Sequence, residues 1–545
     1  MRLRPFRAEI VLAWAAALSG LIGIASALTP EMADRVRIVR GVLPPGWPEA
    51  ARSLTVAFAI GLIWLARSLA KRRHRAWQLA VGVVVASGVA HLAKGLDFEE
   101  ATISLALLIA LVHYRRRFDV PGDPASARPV VAALAGFAAI AAVWISVELR
   151  GAELPHRVAD SLVGLGIVFA TLALWFWLRP FGQAVAQSVG ERRVARALVE
   201  AYGSDSLSFF ALRRDKSYLF SPSHNAFLAY RVIAGTALVS GDPVGDESEI
   251  DALLAELRRV VKAHGWRLAV VGASDEHLER YRALGLKPVP MGEEAVLRPD
   301  EFSLEGRAIR KVRQSVSRLR KAGYGFRVVT ADDVDPALRA ELDAVSAAWR
   351  GDRPERGFSM AIDELYVPGT VLAVAFRGSS PRQSHDEPTE KHGEENGRVG
   401  GFLHLAPSPA RGGWSLSTMR RRPDSPNGLT EFLIVEALGW AKETGAREVS
   451  LNFCAFTDFL SPERATTPLK RLVRRGLLLA DNVFQLERLY AFNRKFFPEW
   501  RRRYICVERF TDLPAVGLAY LHAESLLVPP GPWTRKPRPR NRAAA

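Results

Sequence analysis

Residues 414–453 read WSLSTMRRRPDSPNGLTEFLIVEALGWAKETGAREVSLNF. Trp414, Leu416 and Thr418 alternate with Ser415, Ser417 and Met419, the period of a half-buried strand. Arg420–Gly428 is rich in Arg, Pro, Asp and Asn and reads as a loop. Leu429–Ala441 is long and apolar enough for a packed helix, with Gly445 as its stop. In Val449–Phe453, Val449, Leu451 and Phe453 share one face and leave Ser450 and Asn452 on the other. Strand, loop, helix, turn and strand bring Arg420, Asn427, Glu431 and Asn452 toward the strand ends and the helix N-terminus. That is a polar mouth in an otherwise apolar unit.

The same order of elements occurs twice. In the first pass, strands are expected at Leu207–Leu212, Ser217–Phe220, Ala226–Ile233 and Thr236–Ser240. A helix at Glu247–His264, a strand at Arg267–Val271, a helix at Asp275–Leu284 and a strand at Ala295–Arg298 follow. In the second, strands fall at Val371–Arg377, Val399–Leu405 and Trp414–Met419, then a helix at Leu429–Glu443 and a strand at Glu448–Phe453. A helix at Asn482–Phe492 and a strand at Tyr504–Arg509 close it. A meander followed by helix, strand, helix and strand, twice over, argues for two similar α+β lobes. This order resembles the acetyltransferase-like (GNAT) fold, and the tandem form resembles enzymes that transfer amino acids from aminoacyl-tRNA.

Between the lobes, Arg307–Gly323 places Ile309, Val312, Val316 and Leu319 on one helical stripe. Arg307, Arg310, Lys311, Arg313, Arg318, Arg320 and Lys321 fill the rest, with no acid among them. Such a helix is either a solvated linker or a phosphate-binding surface, and the basic clusters Lys470–Arg475 and Arg501–Arg503 favour the second. The net charge of +17 also points to an acidic partner, nucleic acid or an anionic membrane. Residues 378–398 read as a disordered hairpin insertion, and the tail 526–545 as unstructured and basic. His385 and His392 lack a supporting Cys or Asp cluster, so no metal is expected. Cys454 and Cys506 lie in apolar strand-like runs and read as small core residues.

Residues 1–180 are of another kind. Apolar runs at 10–28, 53–70, 76–93, 101–114, 130–148 and 159–178 approach the ~20 residues needed to cross a bilayer, the fourth being short. A cleaved signal peptide would explain only the first. Arginines and lysines crowd the N-terminus and the ends of the second, fourth and sixth runs, while the opposite loops are poorer. The positive-inside bias therefore places the N-terminus and everything after 180 in the cytoplasm. His91 and Glu148 lie near run ends, at the interface.

The chain has no GxxxxGK[ST], GxSxG or HExxH motif, and no glycine-rich pyrophosphate loop. Instead, MRRRPDSPNGLTEFLIVEALGWAKETGAREVSLNF resembles the core signature of the phosphatidylglycerol lysyltransferase family, and FQLERLYAFNRKFFPEWRRRYI at 484–505 resembles its C-terminal signature. Gly241-Asp242-Pro243 and the basic run ending Lys321-Ala322-Gly323 also fit. The resemblance covers essentially 185–525. It implies a multi-pass α-helical membrane domain (1–180) followed by an α+β tandem GNAT-like domain, with a first lobe at 181–325 and a second, active-site lobe at 326–525.

The implied activity moves an aminoacyl group, lysyl favoured over alanyl, from aminoacyl-tRNA to the glycerol hydroxyl of phosphatidylglycerol. A separate aminoacyl-tRNA synthetase would supply the donor, and a homo-oligomer is left open. The product lowers membrane negative charge and repels cationic antimicrobial peptides. An aminoacyl ester is already activated, so no cofactor is expected: no ATP and no metal. The enzyme must orient the hydroxyl, help remove its proton and stabilise the oxyanion. Glu431 can bind the substrate ammonium, act as base, or merely complement the helix dipole. Asn427 and Asn452 can donate to the carbonyl or serve as caps. Asp242 can act in a substrate pocket or only shape the Asp-Pro turn. Arg420, Lys495 and Arg503, with Arg310, Arg313, Arg318 and Lys321, suit tRNA or lipid phosphate.

Cys454 and its neighbours, and Asn493, depart from the family pattern close to this site. They leave open which amino acid is transferred. Two alternatives stand beside this reading: transfer to another lipid or peptidoglycan precursor, and a non-catalytic membrane protein binding anionic lipid or RNA.

Overall fold

The computed structural model describes all residues except 1–6, 30–46, 124–125, 150–154, 179–181, 184, 186, 352–356, 359–360, 363, 379–396, 456–485 and 526–545. The bulk of the expected insertion, the basic tail, Lys470–Arg475 and the start of the helix expected at Asn482 lie outside the described residues. The chain separates into two compact units, one built mainly on residues 1–182 and one on most of the remainder.

The first unit is helical: α1 Ala8–Leu28, α2 Trp47–Leu69, α3 His74–Gly95, α4 Phe98–His113, α5 Ala127–Leu149 and α6 His156–Trp177. All but α4 are long and apolar enough to cross a membrane, and α4, at 16 residues, is short as expected. Large apolar side chains such as Trp14, Val89, Ile109 and Trp175 point outward, as bilayer-facing residues do. Small residues let backbones approach: a Cβ at Gly20 would sit 2.5 Å from the Ala59 carbonyl oxygen, so α1 and α2 pack through glycine and alanine. His91, Asp97 and Glu100 offer donor atoms within 4.8 Å of one another at the α3–α4 turn; proximity alone does not make a metal site.

The second unit is one continuous sheet with helices on both faces. In chain order it comprises α7 Val189–Tyr202, β1 Ser217–Phe220, β2 Ala226–Ile233, β3 Thr236–Ser240, β4 Val244–Gly245, α8 Ile250–Ala263, β5 Arg267–Ala273, α9 Leu278–Ala283 and β6 Lys287–Leu297. Then follow α10 Arg310–Lys321, β7 Tyr324–Thr330, α11 Pro336–Arg350, β8 Val371–Arg377, β9 Arg398–Ser408, β10 Gly413–Arg421, α12 Leu429–Glu443, β11 Glu448–Ala455, α13 Leu486–Asn493, β12 Glu499–Val507 and α14 Leu513–Ala523. The strand path is β1-β2-β3-β5-β12-β6-β11-β10-β9-β8-β7, with β4 on β2. Only β3/β5 and β10/β11 pair in parallel among the described residues. Each parallel step is made through one helix, α8 or α12. This is the meander-then-crossover order expected twice, a tandem GNAT-like fold behind a helical membrane unit.

The two lobes share their centre. β12, from the end of the chain, lies between β5 and β6, and β6 in turn pairs with β11. A boundary at 325 divides the sequence, not the sheet.

Three local expectations are corrected. Leu207–Leu212 is a 3-10 turn rather than a strand, because the Asp205 carboxylate accepts the Leu207 N–H at 2.8 Å and bends the chain. The final strand begins at Glu499, and β10 runs on to Arg421, whose partner is Gly401. Helices α7, α11 and α14 and strands β4 and β7 complete the unit beyond the elements expected.

On one face, α10 and α12 bury Val312, Val316, Leu319, Phe432 and Leu433 against Leu403, Leu405, Leu416 and Leu451. On the other, Leu338, Leu342 and Val345 of α11 cover Leu372, Val374 and Phe402. Gly428 starts α12 at φ +95°, and a Cβ there would meet Ser315 of α10 at 2.8 Å. Only glycine allows both that backbone and that approach.

Candidate active site

β10 and β11 run parallel for three residue pairs, Gly413–Glu448 to Ser415–Ser450. Beyond these, β10 bulges between Leu416 and Thr418 against β9, and β11 bulges between Ser450 and Phe453 against β6. The strands part there. Asn452 sits in the bulge at φ +68°, a conformation Asn tolerates better than most residues. Its Nδ2 donates to the Leu416 carbonyl at 2.9 Å, its Oδ1 accepts the Phe453 N–H at 2.8 Å, and its own N–H donates to Ser450 Oγ at 3.0 Å. Asn452 therefore holds the opening between two parallel strands.

From Ser450 a buried polar chain runs through the centre of the sheet. Ser450 Oγ donates to Glu294 at 2.5 Å, and Glu294 receives the Arg503 guanidinium. Arg503 also reaches Asp205 at 2.7 Å, Ser206 Oγ at 2.9 Å and the Gly272 carbonyl at 3.3 Å. Burial would push the Glu294 carboxyl up, but the Arg503 charge and hydrogen bonds from Ser206 and Ser450 hold it below the usual carboxylate range. Burial would equally favour a neutral Arg503, and Asp205 and Glu294 override it. Asp242 adjoins this chain. Tyr281 Oη donates to its Oδ1 at 2.8 Å and the Ser274 N–H to its Oδ2 at 2.9 Å. Burial, then the neighbouring Asp205 charge, raise its pKa.

The sequence-derived candidates thus fall into separate groups. Asn452 and Arg503 are joined through Ser450 and Glu294, and Asp242 lies close enough to Asp205 to feel its charge. Arg503 is a correction: a guanidinium 3% exposed and held by two carboxylates is an internal strut and cannot also face a phosphate in solvent. Glu431, in the first turn of α12, pairs with Lys495 Nζ at 2.8 Å, and that ammonium also lies over the Phe492 ring. Asn427 is exposed and uses its carbonyl to accept Arg318 at 2.6 Å, which ties α10 to the loop before α12.

Arg420 is 5% exposed on β10, its guanidinium 5.7 Å from the Trp349 ring centroid, so it too is withdrawn from solvent. Arg313 donates to the Leu304 and Gly306 carbonyls. Arg310 and Lys321 are exposed on α10. Among the described residues no carboxylate pairs with either.

Residues 196–507 match the family model "Phosphatidylglycerol lysyltransferase, C-terminal". The chain belongs to this family. Over 387 residues it is 39% identical to the lysylphosphatidylglycerol biosynthesis bifunctional protein LysX of Mycobacterium sp. (strain KMS), covering 69% of this chain and 34% of that protein. Against LysX of Mycolicibacterium gilvum (strain PYR-GCK) it is 31% identical over 564 residues, 95% of this chain and 49% of that one. The chain therefore spans about a third to a half of the curated relatives it matches. The structure of L-PGS from Bacillus licheniformis shares the fold, with TM-score 0.52 and 22% identity over 63% of this chain and 97% of that one. A C-terminal domain from Agrobacterium fabrum, named for a lysylphosphatidylglycerol synthetase, gives TM-score 0.51 and 25% identity over 61% and 96%.

In this lysyltransferase-family domain, sequence reasoning passed over three features. Glu293-Glu294 is an acidic pair inside an apolar strand, and that pairing was the signal for a buried cation. His404 on β9 is fully buried opposite Thr418, and among the described residues neither ring nitrogen has a hydrogen-bond partner. Burial, then the Arg420 charge, push its pKa down to about 3, so the ring is neutral. Finally, the two departures from the family pattern touch: Asn493 Nδ2 donates to Cys454 Sγ at 3.4 Å, with both side chains buried.

Proposed function

We propose that this chain is a membrane-bound aminoacyltransferase that moves an aminoacyl group, lysyl in preference to alanyl, from aminoacyl-tRNA to a glycerol hydroxyl of phosphatidylglycerol. The observation that carries the reading is the family match over 196–507, a span that contains the whole strand opening, on a chain whose N-terminal helices are long enough to cross a bilayer.

In the reaction the ester C–O bond to the tRNA ribose breaks and a new ester to the lipid hydroxyl forms. The hydroxyl proton ends on the ribose oxygen. Ester exchanges for ester, so the chain's residues need only orient the two substrates, assist the proton and stabilise the oxyanion. The Asn452 and Phe453 N–H groups are engaged within the bulge, so the bulge is suited to fixing the opening in which the substrate carbonyl would sit. Glu431, at the start of α12, is suited to the substrate ammonium, exchanging Lys495 for it. Arg310 and Lys321 are suited to tRNA phosphates. The charge asymmetry of the loops supports a cytoplasmic domain, on the side of the membrane where charged tRNA is made. The product carries less negative charge and so weakens the attraction of cationic peptides.

The test is expression in a bacterium lacking aminoacyl-lipids, followed by mass spectrometry of the lipid extract. A lysyl- or alanyl-phosphatidylglycerol that disappears with Glu431→Ala at equal expression is expected. Membranes containing folded protein but no new lipid would overturn the reading.

A further inference from the structure

We propose that a cleft beneath α7 binds the phosphodiester headgroup of an anionic phospholipid; this rests on the membrane-bound reading of the chain but not on its transfer chemistry. The cleft encloses about 400 Å³, and Arg192, Arg193, Arg196, Arg213 and Arg214 line it. Three of these cations are matched: Arg196 by Glu200 at 2.8 Å, Arg213 by Asp215 at 2.9 Å and Arg214 by Glu364 at 3.0 Å. Among the described residues no carboxylate pairs with Arg192 or Arg193. Two guanidinium groups at one mouth repel each other unless an anion lies between them, and a phosphodiester offers the acceptor geometry a guanidinium fork prefers.

The surroundings select a lipid over a nucleic acid. The floor is apolar, formed by Phe209, Leu212 and Ile362, which suits a glycerol backbone and the first acyl carbons. On the same helix Val189 is 70% exposed and Val194 36%, outward apolar side chains beside arginines, the pattern of a helix lying in a bilayer interface. Along the chain α7 follows the last long apolar helix after residues 178–188 alone. Base stacking, which single-stranded nucleic acid would need, finds no free ring among the described residues of the cleft. Phe209 and Tyr218 are buried, and the Arg339 guanidinium already covers Tyr366.

The experiment uses the full chain in phosphatidylcholine nanodiscs doped with a phosphatidylglycerol carrying a photoactivatable diazirine on one acyl chain. After irradiation, adducts are mapped by peptide mass spectrometry. Adducts are expected on peptides covering 189–218 and 362–368. In Arg192→Gln/Arg193→Gln they fall by about ten-fold or more, while adducts on the long apolar helices stay unchanged. Arg193→Gln alone, at an exposed position, gives an intermediate loss.

Three results would overturn the proposal. One is equal labelling of these peptides by a diazirine phosphatidylcholine. Another is loss of label to millimolar inorganic phosphate, which marks a free-phosphate site. The third is protection of the peptides by added tRNA with no phosphatidylglycerol adduct, which marks an RNA surface. Labelling needs no turnover, so a chain that makes no aminoacyl-lipid can still carry the adduct, and the two readings fail separately.

Discussion

Asn452 reaches across two strands that have already parted and donates its Nδ2 to the Leu416 carbonyl at 2.9 Å. The same side chain accepts the Phe453 N–H, and the backbone beneath it is left-handed at φ +68°. Asn452→Ala loses both bonds and strains the bulge, at a cost of about 2–4 kcal/mol. Asn452→Gly relieves the backbone but not the gap. Thermal melts should therefore rank wild type above Gly and Gly above Ala, while lipid aminoacylation falls at least ten-fold in both. Full activity in Asn452→Gly would show that the side chain does no more than permit the turn.

Arg503 ties β12 to β6 through Glu294 and to the segment after α7 through Asp205, in the interior of the sheet. Arg503→Ala leaves two buried carboxylates unpaired and should destabilise the domain by about 3–5 kcal/mol. The loss is measured as a lower melting temperature of the solubilised chain. Glu294 adds a pH signature. Its folded pKa is lowered, so its stabilisation is present above its unfolded value near 4.5 and is lost as pH falls through the folded value. A variant that melts normally but needs more tRNA would instead make Arg503 a surface phosphate ligand.

His404 gives the opposite kind of test. Its ring titrates near 6.5 when unfolded and about 3 when folded. Between those values only the unfolded chain takes up the proton, so stability falls as pH drops, by up to about 1.4 kcal/mol per pH unit. His404→Leu removes that slope and also two ring nitrogens that find no partner among the described residues. The variant should be at least as stable at pH 7.5 and distinctly more stable at pH 5, read from melting curves. If it is stable yet inactive, the imidazole meets substrate.

The contrast between these residues shows what the sequence could carry. Alternation and helical period exposed β10, α12 and β11 because their apolar faces are regular, and the helix bounds at Leu429 and Glu443 follow from it. β12 was half hidden, since Glu-Trp-Arg-Arg-Arg contradicts a central strand until Glu294, Glu448 and Asp205 are known to neutralise it. Those partners lie far away in sequence, and the exchange that puts β12 between β5 and β6 leaves no local mark. Glu431 was legible as a helix-start acid, but its pairing with Lys495 depends on how residues 64 apart come to pack.

That pairing makes Glu431 separable from a structural acid. Lys495 is 45% exposed, so the ion pair itself contributes only about 0.2–1 kcal/mol. Glu431→Gln should therefore melt within about 1 kcal/mol of wild type. If the carboxylate holds the substrate ammonium, kcat/KM for aminoacyl-tRNA should fall by more than ten-fold, and Lys495→Met should not reproduce that fall. Equal losses in the two variants would assign the pair a purely structural role.

The last prediction concerns α10, where cations that look alike in sequence divide by what they already hold. Arg313 and Arg318 are bound to carbonyls of Leu304 and Asn427, and Arg320 to Glu436. Arg310 and Lys321 stand exposed at the two ends of the same helix. Each phosphate contact contributes about 0.7–0.9 to the slope of log affinity against log salt. Arg310→Gln/Lys321→Gln should therefore weaken tRNA binding at low salt and flatten that slope by about 1–2, leaving the melting temperature unchanged. Arg318→Gln acts differently: it frees the loop before α12 and should lower kcat without changing the slope. An unchanged slope in the double variant would remove α10 from the tRNA surface and leave its charge as an ordinary solvated face.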